Sequence, residues 1–302
     1  MLTVFLKRKG EEQQRINIAF NFPTNTLDPH LDTNYTIVRA GVGETLVKIS
    51  EQQKIEPWLA EEWKSKDGKN WTFKIREGIT FHNGKKVDAQ AVKASLERAI
   101  NDSPSVQAAL KISKMKADGQ LLTIQTEEVF PQFPSELVHP NTAIVDVDEK
   151  DIDKRPIGTG PFKISSFEPG VELKVERFEK YWDGKAKLEK ATFAFNEDAN
   201  ARKMALQSGD ADIIFRPPVE NLEKLKEENV KIESVPSLRT HQLFYNMKSS
   251  YMKDENVRKA MDALIDRKEI VEHILNGHAV EAKGPFLAGS PFAPSYEEKK
   301  AE

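Results

Sequence analysis

The chain has 302 residues, with 45 Lys and Arg against 48 Asp and Glu and a formal net charge of −3, so it carries no basic field to hold nucleic acid or an anionic membrane. It contains no cysteine, which excludes disulfides, thiolate metal sites and cysteine nucleophiles. Hydrophobic residues make up 38% and charged ones 31%; no apolar run approaches the ~20 residues of a membrane span, and the length suggests about two domains.

The opening MLTVFLKRKG puts a short apolar stretch before its positive charge, the reverse of a signal peptide. Residues 1–14 are therefore expected to be a disordered or expression-derived tail. A strand is predicted over Ile16–Phe20 and a helix over Val38–Val47. Behind Pro57, the apolar groups Trp58, Leu59 and Trp63 stand at roughly helical spacing and predict a helical turn. Asp67-Gly68 is a turn dipeptide, after which Trp71, Phe73 and Ile75 alternate with Thr72, Lys74 and Arg76, the pattern of a strand with one buried face. A second turn at Asn83-Gly84 leads to Asp88, a good N-cap for a helix over Asp88–Asn101 that repeats Val92, Leu96 and Ile100 at four-residue intervals.

Further strands are predicted over Leu121–Thr126, Thr142–Val147, Val171–Phe178, Ala191–Asn196, Ile232–Val235 and Gln242–Asn246. Helices are predicted over Ala199–Ser208, stopped by Gly209, and over Glu255–Leu275, stopped near Gly277. The charged end YEEKKAE is expected to fray. Strands and helices mix without strict alternation or repeat, which predicts an α/β fold of the mixed α+β kind.

The candidate chemistry is sparse. Gly158-Thr159-Gly160 is followed by Pro161-Phe162-Lys163-Ile164, an extended segment and not a helix, so it reads as a turn that lets backbones approach closely and not as a phosphate loop. The Gly84-Lys85 pair has neither P-loop glycine spacing nor a following hydroxyl. The six histidines show no zinc-finger or metalloprotease spacing. His30, after Asp28-Pro29, and His82, before Asn83-Gly84, read as structural; His273 and His278 lie at a helix end, where a surface role is expected. Trp58, Trp63, Trp71 and Trp182 read as core, and Arg76, Asp88 and Asp212 as caps and surface pairs. No nucleophile, base and oxyanion set emerges, so the chain is expected not to be an enzyme.

Seven segments occur in an order that identifies a family by resemblance: LDPHLDTN (Leu27–Asn34), GETLVK (Gly43–Lys48), the run Ile55–Ala89, RPIGTGPFKI (Arg155–Ile164), ERFEKYWDG (Glu176–Gly184), DANARKMALQSGDADI (Asp198–Ile213) and VRKAMDALIDRKEIV (Val257–Val271). They resemble the extracellular solute-binding proteins that serve ABC importers of oligopeptides, dipeptides and nickel chelates, over about Ile16 to Phe292. The resemblance implies a periplasmic-binding-protein-like architecture of two lobes around a cleft, with a subdomain inserted in the first lobe. Mapped here, 15–39 and 155–239 form the first lobe, 40–154 the insertion and 240–302 the start of a second lobe that is largely missing, since family members continue well beyond Phe292. The implied role is the substrate-binding component that captures short peptides or a nickel-type metal chelate and delivers it to a membrane permease, at the extracellular face of a bacterial membrane or in the periplasm. No cofactor is implied beyond a nickel or other transition-metal chelate as cargo, and no nucleic acid partner. The full-length form is expected to be monomeric. The shortened chain is expected to bind ligand weakly or not at all alone, and apolar faces such as Met261, Leu264 and Ile274 to favour self-association. The alternative is a fragment or interaction protein of the same family with no transport role.

Under the resemblance, the ligand-binding candidates are Asn34, Tyr35 and Thr36 after the LDPHLDT loop, His139 and Asn141 in LVHPN, and Arg239, Thr240 and His241 at the implied crossing between lobes. His241 and His139 are the metal candidates if the cargo is a metal chelate, because a neutral imidazole can ligate nickel, while Arg239 offers a fork to a carboxylate. The nickel-chelate branch commonly carries an arginine flanked by prolines where His139-Pro140-Asn141 stands, and an arginine and a tryptophan in the region of Asn101–Lys111. This chain has neither, which weakens the nickel-chelate pocket and leaves peptide and chelate both open.

Overall fold

The computed structural model describes residues 2–6, 14–50, 52, 54–228, 230–234, 239–282 and 284–286. The YEEKKAE end, Val235 and residues 7–13 lie outside that set. In chain order the strands are β1 (Leu2–Leu6), β2 (Arg15–Phe20), β3 (Val47–Ile49), β4 (Ile55–Pro57), β5 (Ala60–Ser65), β6 (Asn70–Ile75), β7 (Ile112–Asp118), β8 (Leu121–Thr126), β9 (Phe162–Glu168), β10 (Glu172–Arg177), β11 (Lys190–Phe195), β12 (Ile213–Phe215) and β13 (Val230–Ser234). The chain divides into two units, Lys9–Ile213 and Met1–Arg8 with Ile214–Glu302.

In the larger unit, β2 and β11 pair in parallel with Ile16 opposite Ala191 and Phe20 opposite Phe195. Antiparallel pairing then adds β10 to β11 and β9 to β10. A second, antiparallel sheet runs β5-β6-β8-β7. Its inner face presents Phe73, Ile75, Leu122 and Ile124, all fully buried with Val92, Leu96 and Ala99 of the helix Ala89–Asp102 in one hydrophobic cluster. Alternation of period two on the strands and four-residue spacing on the helix together define that core. As expected, the helix starts at Asp88, whose carboxylate accepts from the Ala91 amide at 2.9 Å, and Ala199–Ser208 starts at Asp198 and ends at Gly209.

Two predicted helices do not form. The IEPWLAEEW segment is two strands: β4 pairs with β3, and β5 pairs with β6 so that Trp63 faces Phe73. Glu62, Trp63 and Lys64 alternate as well as any strand, and cross-strand pairing overrides the apparent helical spacing. The helix expected over Val38–Val47 is only Thr36–Arg39. The amides of Val42 and Gly43 both turn back to the Ile37 carbonyl, with Gly41 at φ 69°, and the freed apolar run continues as extended chain. The strand expected at Thr142–Val147 is a single turn at Pro140–Thr142 followed by a bridge from Ile144 to Glu44.

In the smaller unit, Leu2–Leu6 is not the disordered tail expected of residues 1–14: β1 pairs antiparallel along its whole length with β13, Leu2 opposite Ser234 and Leu6 opposite Val230. The ladder satisfies its backbone groups. The strand predicted at Gln242–Asn246 is irregular, and the long helix over Glu255–Leu275 is broken into Glu255–Ala263, Arg267–Glu269 and a π turn at Ile270–Ile274. Asp266 starts the second piece by accepting from the Glu269 amide, which separates it from the first. Leu264 and Ile274 are exposed. No helix among the described residues is long and apolar enough to cross a membrane.

Candidate ligand-binding site

The segment Leu27–Thr36 is shaped by its own carboxylates. Asp32 accepts from the Asn34 amide at 2.8 Å and from the Thr36 amide at 2.7 Å, which carries Tyr35 into the left-handed region at φ 57° immediately before the helix Thr36–Arg39. Such a backbone costs a tyrosine about 1 kcal/mol or more, and it persists because both flanking amides are held. Asn34 spends its side-chain amide on the Pro23 carbonyl at 2.8 Å, and the buried Thr36 hydroxyl meets that of Thr24 at 2.8 Å.

The HPN turn closes against this loop. Asn141 is buried, and its side-chain nitrogen donates to the carbonyls of Pro29 at 2.5 Å and Asp32 at 3.0 Å. His139 is exposed, with its ring edge-to-face on Tyr35 at 5.3 Å. The structure therefore brings Tyr35 and His139 together as an accessible aromatic pair, with Asn34, Thr36 and Asn141 turned to backbone and side-chain partners beneath it. Arg239, Thr240 and His241 belong to the other unit; Arg239 and His241 are exposed, and the Thr240 hydroxyl donates to the Pro285 carbonyl at 3.4 Å and accepts from the Gln242 amide at 2.9 Å.

Two buried clusters that sequence reasoning missed hold the larger unit in place. In the first, Glu44, only 4% exposed, accepts four hydrogen bonds: from Trp58 Nε1 at 2.7 Å and Tyr181 Oη at 2.6 Å on one oxygen, and from Thr159 Oγ1 at 2.7 Å and Trp182 Nε1 at 3.2 Å on the other. Burial pushes the Glu44 carboxyl up while these donors pull it down, and burial together with Glu44 holds the Tyr181 phenol above its usual range. Lys48 lies 3.9 Å over the Trp58 ring and Arg76 4.9 Å over that of Trp182. Four of the seven sequence motifs thus end on one carboxylate. The legible signal was the two indole nitrogens, each of which needs an acceptor when buried.

In the second cluster, Arg98 grips the buried Asp28 with both nitrogens, at 2.9 and 2.5 Å, and donates to His30 Nδ1 at 2.7 Å. His30 Nε2–H then donates to the Ala143 carbonyl at 3.1 Å. Burial would raise the Asp28 carboxyl, but its hydrogen bonds with Arg98 and with the His30 amide hold it below the usual range. His82 is fixed in the same manner, its Nε2 on the Gly160 carbonyl at 2.9 Å. Among the described residues no group of three or more His, Asp or Glu side chains is placed to hold a metal ion.

Burial pushes the imidazoles of both His30 and His82 down from 6.5 to about 4. The unfolded chain takes up these protons below pH 6.5 and the folded one only near 4, so the stabilisation is complete above 6.5 and is lost as pH falls through about 4. Each histidine is expected to contribute at most about 3 kcal/mol to that loss. Urea midpoints across the window test it, with His82→Gln expected to flatten the profile; a midpoint independent of pH there would contradict the assignment.

The Gly158-Thr159-Gly160 turn lies directly on the chain that leads into Glu44. The Gly160 amide donates to the Val42 carbonyl and the Phe162 amide to that of Gly41, both at 3.0 Å. A Cβ at Gly158 would stand 2.0 Å from the Val42 oxygen, and one at Gly160 2.3 Å from that of Gly41. This is the close backbone approach expected of the turn.

The sequence matches the family model of bacterial extracellular solute-binding proteins, family 5 Middle, over residues 54–302. It is 35% identical to the nickel-binding protein NikA of Staphylococcus aureus, over 92% of this chain and 56% of that protein. Identity to the glutathione-binding protein GsiB of Shigella boydii is 31%, over 93% and 57% of the two chains. Among solved structures, a nickel ABC transporter protein from Bacillus halodurans superposes with a TM-score of 0.81 at 52% identity, covering 95% of this chain and 61% of that one. NikA from S. aureus in complex with Ni(L-His)2 gives 0.87 at 34% identity, over 94% and 61%. The chain spans a little over half the length of the curated relatives it matches, and about three fifths of these solved structures.

Proposed function

The chain belongs to the bacterial extracellular solute-binding proteins of family 5, and from that premise we propose that it is the substrate-binding part of an ABC importer, with short peptides or a nickel-type metal chelate as cargo. The 52% identity to the B. halodurans nickel transporter protein carries this reading and favours the chelate; the 31% identity to a glutathione-binding protein keeps the peptide as second cargo. Capture would take place in a cleft between two lobes, followed by hinge closure and delivery to a membrane permease. In this proposal residues 15–39 and 155–239 make the first lobe, 40–154 its inserted subdomain and 240–302 the start of the second. The ligand contacts in this proposal come from Asn34, Tyr35, Thr36, His139 and Asn141 in one segment set and from Arg239, Thr240 and His241 in another, each taken by itself, outside the cell or in the periplasm, with no reaction catalysed.

Native mass spectrometry of the chain purified from cells supplied with nickel and L-histidine reads the cargo directly. A nickel–histidine or peptide mass carried by a minor fraction of the chain, as weak binding gives, is the expected result. Bare protein that also gives no calorimetric response to nickel–L-histidine or to glutathione would overturn the importer reading for this chain and leave the non-transporting fragment.

A further inference from the structure

We propose that His139 meets its ligand as a hydrogen-bond donor, through Nε2–H to an anionic oxygen such as a carboxylate, and does not ligate a metal. This deepens the importer reading and depends on it only for the existence of a ligand. The argument begins with a backbone amide. The Asn141 N–H donates to His139 Nδ1 at 3.2 Å, and an amide N–H can only donate, so Nδ1 must hold a lone pair. A neutral imidazole carries one N–H, which is thereby assigned to Nε2. Metal ligation needs a free lone pair on a ring nitrogen; that of Nδ1 is engaged and Nε2 has none.

The amide that sets this tautomer is itself held. Asn141 is anchored by its two side-chain bonds to the Pro29 and Asp32 carbonyls, and the Thr142 hydroxyl and amide both return to the His139 carbonyl at 2.8 Å. Asn141 is thus a positioning residue for His139, in the way that groups behind a metal-bound histidine fix its tautomer, but with the opposite outcome. The partial desolvation of the ring against the loop also holds the imidazole below its usual range, with Glu136 pulling the other way. Among the described residues neither His139 Nε2 nor the Tyr35 hydroxyl has a hydrogen-bond partner. The pair therefore offers two uncommitted polar groups on one aromatic platform. A carboxylate oxygen could come from a peptide terminus or from the organic part of a chelate, and the ring treats both alike.

Nitrogen-15 spectra of the histidine-labelled chain, with the His139 signals identified by their loss in His139→Gln, report the tautomer without any ligand. Protonated Nε2 with unprotonated Nδ1 is expected, and nickel sulfate alone should leave these signals unchanged. The opposite tautomer, or selective broadening of His139 by nickel sulfate, would overturn the proposal. Calorimetry with glutathione and with nickel–L-histidine then separates the two sources of carboxylate: His139→Gln should weaken whichever binds by about tenfold, the loss of one charge-assisted bond. Unchanged affinity for a probe that does bind would also overturn it. If neither probe binds, the importer reading fails while the tautomer still decides the donor assignment.

Discussion

Replacing Glu44 with alanine should lower the unfolding free energy by about 4 kcal/mol, because four polar groups lose the one carboxylate on which they converge. Trp58 Nε1, Trp182 Nε1, Tyr181 Oη and Thr159 Oγ1 all converge on its two oxygens. The indoles can only donate, so without Glu44 they must turn to the two hydroxyls or to water. Glutamine keeps the shape and one carbonyl oxygen, and the single hydroxyl beside its amide nitrogen can rotate to accept from it while the indole on that side loses its acceptor; its cost should be about half as large, near 2 kcal/mol. Urea unfolding followed by tryptophan fluorescence measures both. A loss below about 1 kcal/mol for Glu44→Ala would mean that water enters the site and replaces the carboxylate.

A methyl group at Gly158 should be nearly as damaging. The space it needs is 2.0 Å from the Val42 oxygen and 2.9 Å from its carbonyl carbon, so the backbones must separate and the hydrogen bond from the Gly160 amide to the Val42 carbonyl must stretch or break. The expected cost of Gly158→Ala is about 3 kcal/mol or more, at the upper end of overpacking. Thr159→Ser, between the two glycines, keeps the hydroxyl on Glu44 and should cost under about 1 kcal/mol, which makes it the control for general sensitivity of the turn. Equal effects of the two substitutions would remove close backbone approach as the reason for these glycines.

Where a segment's local pattern and its tertiary environment agree, the sequence alone placed it well. Leu121–Thr126 and Ala199–Ser208 have their expected bounds, and Asp88 and Gly209 cap as read. Elements failed where local preference competes with pairing. Trp58, Leu59 and Trp63 fit a helical face and a pair of strands equally well by spacing, and only the partners Val47–Ile49 and Asn70–Ile75 decide. Val38–Val47 looks helical until the turn at Gly41 and the bridge from Glu44 to Ile144 are known. The same limit governs the site. That Tyr35 and His139 touch depends on Asn141 reaching back more than a hundred residues to Pro29 and Asp32, a contact with no local signature. Nor does adjacency in sequence show that the side chains of Asn34, Thr36 and Asn141 are engaged by Pro23, Thr24, Pro29 and Asp32.

The Glu44 cage also bears on the order in which the chain assembles. Its bonds span separations from 14 residues, to Trp58, up to 138, to Trp182. None compensates for burying the charge until the others are in place, so the carboxylate cannot act as a seed for folding. The hairpins β5-β6 and β7-β8 are local and can form early. The closure around Glu44 must wait until the chain beyond Trp182 has been made and has returned, which places it on the unfolding side of the rate-limiting barrier. Removing Glu44 should then shorten the lifetime of the folded state more than it slows folding.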